Sequence, residues 1–430
     1  MELNLDHIFG GRLFGPDTEL FQTAYAEASR KLRSSEASIK NGALIREHKP
    51  IAFAAAFFAC IRNDWPIILA NPSWGETEND QLAQICRPDI CFGDSPFLKR
   101  FARDNTVELE LGTIAIPTGG TTAGLKLAVH RWSTLSASAE GTIEFLGSRP
   151  VHSACQLPLY HVSGIMQLVR SYLSCGRIHF GKTDLSKKIL SFVPTQLARV
   201  MRSPRSISSH QKADTIFVGG ASLSDDLRQA AIRAKLPIVP VYGMTETAAM
   251  CAAIKTEDLR HGVIGAEAIG DTRFAVNSNG CITVDSSALF FGYLGRRPRK
   301  RGPFVTGDVG HIDADERLYI SGRADRLINT GGEKVDPAEV ECILSCIEGV
   351  DDCAVIGVPD VEWGQRVIAF AVAKRLSSSQ VNEQIKGMLS PFKRPKQVIV
   401  VDAIPTNAIG KPDYPALETI AERNNRRATD

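Results

Sequence analysis

Residues 114–126 read Ile-Ala-Ile-Pro-Thr-Gly-Gly-Thr-Thr-Ala-Gly-Leu-Lys, an apolar stretch that reaches Pro117 and then runs into glycines and threonines. Glycine allows positive φ and removes side-chain bulk, so successive N–H groups can point into one concavity. Threonine hydroxyls add donors, and Lys126 adds a positive charge. The pattern predicts a strand that breaks at Pro117, followed by a phosphate-binding loop at 118–126. The residues expected to supply its donors are Thr118, Gly119, Gly120, Thr121 and Thr122.

The sequence of residues 114–126, taken alone, also allows two other interpretations of this loop. Glycine and threonine are common turn residues, so the segment also fits an ordinary surface loop. A Walker A loop requires Gly-x4-Gly-Lys-Ser/Thr, but Leu125 separates Gly124 from Lys126, and Leu127 stands where the magnesium-binding hydroxyl belongs. The spacing therefore argues against a P-loop NTPase.

Composition is that of an ordinary globular protein. The 430 residues are 43% hydrophobic and 23% charged, and a chain of this length is expected to form two or more domains. The formal net charge of +2 favours neither nucleic acid nor an anionic membrane as partner. The first residues lack a signal-peptide pattern, and the longest apolar run, 51–61, is shorter than the ~20 residues that span a bilayer. We expect a cytoplasmic enzyme without membrane insertion; composition favours neither a monomer nor a homo-oligomer.

The ten cysteines are scattered and include no Cys-x2-Cys pair. The closest group is Cys342, Cys346 and Cys353, of which the first two share one face of an expected helix. Because no second ligand cluster accompanies them, reduced core thiols are favoured over a zinc site.

Apolar strands alternate with helices before residue 265, which predicts a layered α/β domain. Helices are expected near 20–32, 51–60 and 79–84 and from Ser133 onward. Several strands end in turns that carry glycine, serine or threonine, and the ends of parallel strands meet at one sheet edge, where α/β folds bind ligands. The turns are 157–164, 192–195, 218–221 and 242–246.

The turn at 157–164 places His161 and Ser163 between a strand and a helix. A lone histidine is more often structural than catalytic, and Ser163 can equally cap the helix that it precedes. Spacing alone assigns neither role.

The pattern changes after residue 265. Short strands with turn signals predict a small β subdomain over 265–294, and the basic run 296–301 is expected to be a solvated loop. Asp308 is expected in a turn. The domain boundary is placed after Gly322, which divides the chain into 1–322 and 323–430. The second part predicts a compact α+β unit, with a helix at 381–389, a lysine loop that ends at Lys411, and a fraying tail after Ile420.

Taken in order, these motifs resemble the adenylate-forming superfamily, which contains acyl- and aryl-CoA ligases, luciferases and peptide-synthetase adenylation domains. Each motif is moderately specific, and the whole set in the family's order is hard to obtain by chance. The turns 157–164, 192–197 and 242–247 are most similar to those of the o-succinylbenzoate–CoA ligases of menaquinone and phylloquinone biosynthesis. The motifs that carry the resemblance are 118–126, 242–246, 306–308, 322–325, 331–333, 339–341 and 405–411.

The resemblance implies a large layered N-terminal domain with stacked sheets and a small β subdomain, followed by a smaller mobile C-terminal domain. It also implies an ATP-dependent ligase that joins an aromatic carboxylic acid to CoA through an acyl-adenylate and uses Mg²⁺. The alternatives are another aryl- or acyl-CoA ligase and a catalytically silent nucleotide-binding module. Glu246 and Lys411 weigh against the silent module, because a binder needs neither.

Residue roles follow from the same resemblance. Thr245 would form a hydrogen bond to the α-phosphate, and Glu246 would hold Mg²⁺. Lys411 would reach between the carboxylate of the substrate acid and the α-phosphate. Asp325 would be the hinge. The remaining nucleotide site would comprise Gly219, Gly220, Ala221, Tyr242 (stacked on adenine), Gly243, Met244, Asp308 and Arg323 (at the ribose). The acid site would comprise His161 (also catalytic), Ser163, Gly164, Thr195 and Gly243, and the CoA channel Gly331 and Gly332.

The chain departs from the family pattern in two places. The phosphate loop ends in Ala-Gly-Leu-Lys instead of Gly-x-Pro-Lys, which leaves the role of Lys126 unassigned. The N-terminal portion is short. The 157–164 turn offers a hydroxyl and an imidazole but no arginine for the remote carboxylate of o-succinylbenzoate, whose partner is therefore also unassigned.

Overall fold

The computed structural model describes residues 5–34, 41–93, 107, 109–119, 125–324, 326–386, 388–406 and 412–427. Within these ranges four β-sheets carry the fold, and helices pack over them, which confirms the mixed α/β class. In the described part of the chain, no helix combines the length and the apolar character needed to cross a bilayer.

The first sheet has the strand order β3-β1-β2-β4-β5. Its first four strands are parallel, and β5 returns antiparallel to β4. Helix α3 is apolar on every side and is buried accordingly. The elements are α1 (Leu5–Phe9), α2 (Thr18–Arg33), β1 (Ala43–Arg46), α3 (Pro50–Arg62), β2 (Ile67–Leu69), α4 (Glu76–Ile85), β3 (Ile90–Gly93), β4 (Thr113–Gly119) and β5 (Leu125–Arg131).

The break predicted at Pro117 is wrong. Strand β4 continues to Gly119, and Pro117 lies opposite Leu127 in the β4–β5 hairpin. Strand β2 pairs only with Ile114 and Ala115, so β4 is paired on one side at the proline, and a strand tolerates the missing N–H there. Lys126 consequently lies on a strand opposite Thr118, not in the loop.

The second sheet has the order β12-β11-β10-β9-β8-β6-β7 and is parallel from β10 to β7. The predicted strand-to-turn segments end at one edge of it, as expected. Shared core residues such as Phe57, Trp132 and Met166 join it to the first sheet. The elements are α5 (Trp132–Phe145), β6 (Ser153–Cys155), α6 (Val162–Leu173), β7 (Ile178–Phe180), β8 (Ile189–Phe192), α7 (Pro194–Met201), α8 (Pro204–His210), β9 (Thr215–Val218), α9 (Asp225–Arg233), β10 (Ile238–Met244), β11 (Ala249–Ala253), α10 (Thr256–Arg260) and β12 (Glu267–Ala268).

The third sheet is an antiparallel meander in the order β13-β14-β15-β16, the predicted β subdomain extended to Arg323. The turn predicted at Asp308 is wrong, because Asp308 lies within β15 and pairs in register with Arg323. Gly307 and Gly310, on either side of Asp308, interrupt the run of side chains by which a strand is recognised in the sequence. The strands are β13 (Arg273–Val276), β14 (Cys281–Asp285), β15 (Phe304–Ile312) and β16 (Leu318–Arg323).

The fourth sheet joins β18-β17-β20-β19, with β21 beside β20, and has its own core around Val340, Val367 and Ile385. The predicted tail is wrong in part: α13 forms because Leu417 and Ala421 bury one helical face. Helix α12 ends at Lys386, earlier than predicted. The elements are β17 (Ile328–Thr330), β18 (Glu333–Val335), α11 (Pro337–Cys346), β19 (Asp352–Asp360), β20 (Gly364–Val372), α12 (Ser378–Lys386), β21 (Gln397–Val401) and α13 (Tyr414–Arg427).

Candidate functional site

The carboxylate of Glu246 is the centre of the candidate site. It lies in the 3-10 turn that follows β10 and is only 8% exposed. Its Oε1 accepts hydrogen bonds from Thr118 Oγ1 at 3.3 Å and from Tyr293 Oη at 2.7 Å. The structure thus brings Thr118 of the predicted phosphate loop to the predicted metal ligand. Tyr293 was not predicted, because nothing in its local sequence marks it.

Glu246 fits a magnesium ligand. Among the described residues no Lys or Arg forms an ion pair with it, and no hydrogen bond reaches its Oε2. Nor do three or more His, Cys, Asp or Glu side chains of the described residues cluster as an all-protein metal cage. Mg²⁺ typically binds through one or two carboxylates together with waters and substrate phosphates, so one buried carboxylate suits it.

Tyr242 and Asp308 form the second part of the site. Tyr242 Oη donates to Asp308 Oδ2 at 2.6 Å, and the Arg323 guanidinium lies 3.6 Å from Oδ1. Burial and the charge of Asp308 raise the pKa of Tyr242, which therefore stays a protonated donor. The three side chains predicted at adenine and ribose are brought together.

His130 supports the turn that carries Thr245 and Glu246. It is fully buried, and its Nε2 lies 2.7 Å from the Thr245 carbonyl oxygen. Burial lowers the pKa of His130 to about 4, so the ring is neutral at pH 7 and Nε2–H is the donor. On the other side of the ring, Nδ1 lies 2.9 Å from Thr134 Oγ1. His130 was not among the predicted residues.

Gly243 and the turn behind it are tightly packed. A Cβ on Gly243 would lie 1.9 Å from the Ala249 carbonyl oxygen, so glycine is required where β10 bulges against β11. Ser138 Oγ donates to the Ala248 carbonyl oxygen at 2.6 Å, and the Met244 N–H donates to Thr247 Oγ1 at 3.0 Å. The backbone that presents Thr245 and Glu246 is therefore rigidly held.

The predicted acid turn follows β6. His161 is the N-cap residue of α6 and its side chain is exposed. Ser163 lies inside the helix, so the alternative in which it caps α6 is wrong. A Cβ on Gly164 would lie 1.9 Å from the Pro158 carbonyl oxygen, which explains that glycine by packing. Thr195 is exposed in the first turn of α7.

Arg170 is a buried arginine on α6, the helix that follows the 157–164 turn, and it was not among the predicted residues. It lies on α6, is 2% exposed, and packs over the Phe217 ring at 5.6 Å. Its Nε donates to the Met166 carbonyl oxygen one turn earlier, so the side chain folds back toward the start of the helix. Burial lowers its pKa to about 10, which leaves it charged at pH 7. No carboxylate of the described residues forms an ion pair with it. The single charged residue in an otherwise uncharged helix was the available signal.

The other predicted residues make no contact described above with Glu246, Tyr242 or Asp308, or they lie outside the described part of the chain. Gly219, Gly220 and Ala221 follow β9 at the same sheet edge. Gly331 and Gly332 form the β17–β18 turn with φ of +61° and +85°. A cavity of about 610 Å³ lies beside the acid turn, but its lining includes none of the predicted acid-site residues. The residues outside the described ranges are Gly120, Thr121, Thr122, Asp325 and Lys411.

Lys126 lies on β5, with its Nζ 5.6 Å from the centre of the Tyr293 ring. The P-loop alternative requires a helix directly after the loop, whereas here a strand follows it. The P-loop interpretation is therefore rejected by topology as well as by spacing.

Comparison with known proteins gives two matching families. The family described as AMP-binding enzyme matches residues 112–280, and the AMP-binding enzyme C-terminal domain matches residues 339–411. A 2-succinylbenzoate–CoA ligase of Enterococcus faecalis is 29% identical over 333 residues, covering 71% of this chain and 68% of the relative. A second, from Listeria monocytogenes, is 28% identical over 325 residues, covering 71% and 69%.

Solved structures share the fold. The o-succinylbenzoate CoA synthetase of Bacillus subtilis in complex with its acyl-adenylate intermediate has a TM-score of 0.75 at 22% identity and covers 93% of both chains. The same enzyme in complex with ATP and magnesium has a TM-score of 0.75 at 21% identity, covering 93% of this chain and 94% of that one. At this identity the likeness shows the fold alone.

Proposed function

Because the chain belongs to the AMP-binding enzyme family, we propose that it is an ATP-dependent ligase that adenylates o-succinylbenzoate and transfers the acyl group to CoA. Its products are o-succinylbenzoyl-CoA, AMP and pyrophosphate. The observation that carries adenylation is the buried Glu246 carboxylate beside Thr118, just after β10, whose Tyr242 donates to Asp308 of the third sheet. Relatives named 2-succinylbenzoate–CoA ligases support the choice of acid.

The reaction activates a leaving group. A carboxylate oxygen of the acid attacks the α-phosphorus, and the bond to pyrophosphate breaks. The CoA sulfur then attacks the acyl carbon, and AMP leaves with the former carboxylate oxygen. Mg²⁺, when bound, would neutralise phosphate charge. Thr245 and Lys411 are assigned to the α-phosphate, where preorganised donors stabilise developing charge.

Each remaining assignment belongs to the same proposal. Tyr242 stacks on adenine, and Asp308 with Arg323 binds the ribose hydroxyls. His161 lies at the acid, and Asp325 is the hinge between parts 1–322 and 323–430. The other residues proposed for the nucleotide, acid and CoA sites are Gly119, Gly120, Thr121, Thr122, Lys126, Gly219, Gly220, Ala221, Gly243, Met244, Ser163, Gly164, Thr195, Gly331 and Gly332.

We place the enzyme in the cytoplasm. All ten cysteines are free thiols in the structure, the state that a reducing compartment maintains. Burial raises the thiol pKa of Cys60 and of Cys251, so these two thiols are inert core residues.

Arg170 supports a dicarboxylic acid. A buried cation is costly unless an opposite charge compensates it, and the remote carboxylate of o-succinylbenzoate would supply that charge. The side chain lies between α6, which begins at the acid turn, and strands β9 and β11, where it reaches Phe217 and Met250.

The test is acid-dependent ATP–pyrophosphate exchange with o-succinylbenzoate, benzoate and 4-phenylbutyrate. A site built around the second carboxylate should reject the two monoacids by a factor of ~10⁴ in kcat/KM, because its polar groups would be left unpaired. If benzoate and 4-phenylbutyrate were used as well as o-succinylbenzoate, the remaining interpretation would be another aryl- or acyl-CoA ligase. ATP binding without exchange for any acid would instead indicate a silent nucleotide-binding module.

A further inference from the structure

Tyr293 connects three groups of the candidate site that lie far apart in the sequence. Its phenol donates to Glu246 Oε1 at 2.7 Å. The Lys126 Nζ lies 5.6 Å and the Arg296 guanidinium carbon 5.8 Å from the centre of its ring. Such distances are within the range of cation–π interaction. Tyr293 therefore contacts the candidate metal ligand and two cations at once.

The backbone holds Tyr293 in this position. Tyr293 bridges Ala128 of β5 in antiparallel register, and the Leu294 N–H donates to the Leu127 carbonyl oxygen at 2.9 Å. The Phe290 N–H donates to the Glu246 carbonyl oxygen at 3.0 Å, and the Phe290 ring packs edge-on to Tyr293. Segment 290–294 is thus attached both to the Glu246 backbone and to its carboxylate.

The hydrogen-bond pattern orients the Glu246 carboxylate. Both donors recorded among the described side chains, Thr118 and Tyr293, reach Oε1. Oε2 accepts no hydrogen bond from the described residues and is available to a cation. Tyr293 Oη is the donor in this bond, because an ionised carboxylate oxygen only accepts hydrogen bonds.

We propose that Tyr293 is a positioning residue for adenylation: its hydroxyl fixes Glu246 through Oε1 and leaves Oε2 for Mg²⁺, while its ring seats Lys126 beside the nucleotide phosphates. The inference rests on the proposed function and deepens it. It gives a role to Lys126, which the altered phosphate-loop sequence left unassigned. It also gives Arg296, the first residue of the basic run, a contact with the site.

The experiment is a Mg²⁺ titration of acid-dependent ATP–pyrophosphate exchange in the wild type and Tyr293→Phe. Removing the groups that orient a metal ligand typically weakens metal binding 10- to 100-fold. We expect the Mg²⁺ concentration for half-maximal exchange to rise about 10-fold, with a smaller change in kcat at saturating Mg²⁺.

The matched control is Tyr319→Phe, which removes a phenol–carboxylate hydrogen bond to Asp313 of 3.0 Å on the third sheet. It should leave the Mg²⁺ dependence within about twofold of the wild type, since a contact outside the site does not touch the metal ligand. Thermal unfolding of both variants controls for folding.

The double variant Tyr293→Phe/Glu246→Gln tests whether Tyr293 acts through Glu246. If it does, Tyr293→Phe should add little to the loss of Mg²⁺-dependent ATP binding in the Glu246→Gln background, measured by calorimetry. Additive losses, or an unchanged Mg²⁺ dependence in Tyr293→Phe, would overturn the inference. Absence of exchange in the wild type would instead count against the proposed function, and the calorimetric comparison would still decide the role of Tyr293.

Discussion

The phenol of Tyr242 donates to Oδ2 of Asp308 over 2.6 Å, and this bond joins the second sheet to the third. The partners are 66 residues apart in the chain. Arg323, opposite Asp308 in the β15–β16 register, approaches the other carboxylate oxygen. Asp308 is therefore held from both sides, and the nucleoside part of the site depends on the contact between the two sheets.

Tyr242→Phe should raise the KM for ATP about 10-fold, because a hydrogen bond to a charged group is worth ~1.5–3 kcal/mol. The ring that is proposed to stack on adenine remains, so kcat should change by less than about threefold. Initial rates at varied ATP measure both quantities. A fall in kcat with an unchanged KM would contradict the assignment of Tyr242 and Asp308 to ground-state nucleotide binding.

His130 predicts a pH dependence of stability. Its folded-state pKa of about 4 lies below the ordinary value of 6.5, so the unfolded chain binds the proton first as pH falls. Stability is therefore lost from about pH 6.5 downward, at up to ~1.4 kcal/mol per pH unit for this group. Between pH 7.5 and 5.0 the wild type should lose about 2 kcal/mol more than His130→Gln.

Urea unfolding at the two pH values measures this difference. The other histidines with a lowered pKa, His7, His152 and His179, are present in both proteins, so their contributions cancel in the comparison. Parallel pH profiles for the wild type and His130→Gln would show that His130 is not buried as a neutral ring.

Strand ends were predictable, but pairings between distant segments were not. The position of Glu246 after β10 follows from an apolar run that ends in polar residues, a local pattern. Lys126 lies on β5 because β5 pairs antiparallel with β4. Tyr293 contacts Glu246 because the fold brings together two segments that are distant in the sequence. Asp308 was misplaced because Gly307 and Gly310 weaken the strand pattern of β15, which is stabilised by its neighbours instead.

Lys411→Ala should lower the rate of acid-dependent pyrophosphate release about 10²–10³-fold while sparing thioester formation from supplied acyl-adenylate. A cation at the α-phosphate stabilises charge in the first half-reaction only, and losing such a group costs about 10²–10³ in rate. The control is Lys374→Ala, an exposed lysine of the same C-terminal part. Equal loss of both half-reactions would reject the assignment of Lys411.

Asp325→Pro should spare one half-reaction and impair the other. Proline fixes φ and removes an N–H in a segment proposed to adopt two backbone states. In the structure Ser222 Oγ donates to Asp336 Oδ2 at 2.6 Å, a contact that such a rotation would break. Asp325→Ala controls for loss of the side chain. Wild-type rates in both half-reactions for Asp325→Pro would exclude rotation about this residue.

Arg170→Met should change the choice of acid. Methionine replaces the buried guanidinium with an apolar chain, and buried ionic groups are often replaced this way without loss of stability. The remote carboxylate of o-succinylbenzoate would then lose its charge partner, so kcat/KM for this acid should fall about 100-fold or more. The value for 4-phenylbutyrate should stay the same or rise, since that acid brings no second charge to be buried. Arg149→Met, which breaks the surface ion pair with Asp214, is the control and should leave the ratio of the two acids unchanged. An equal loss for both acids would show that Arg170 supports the fold of α6 and does not read the substrate.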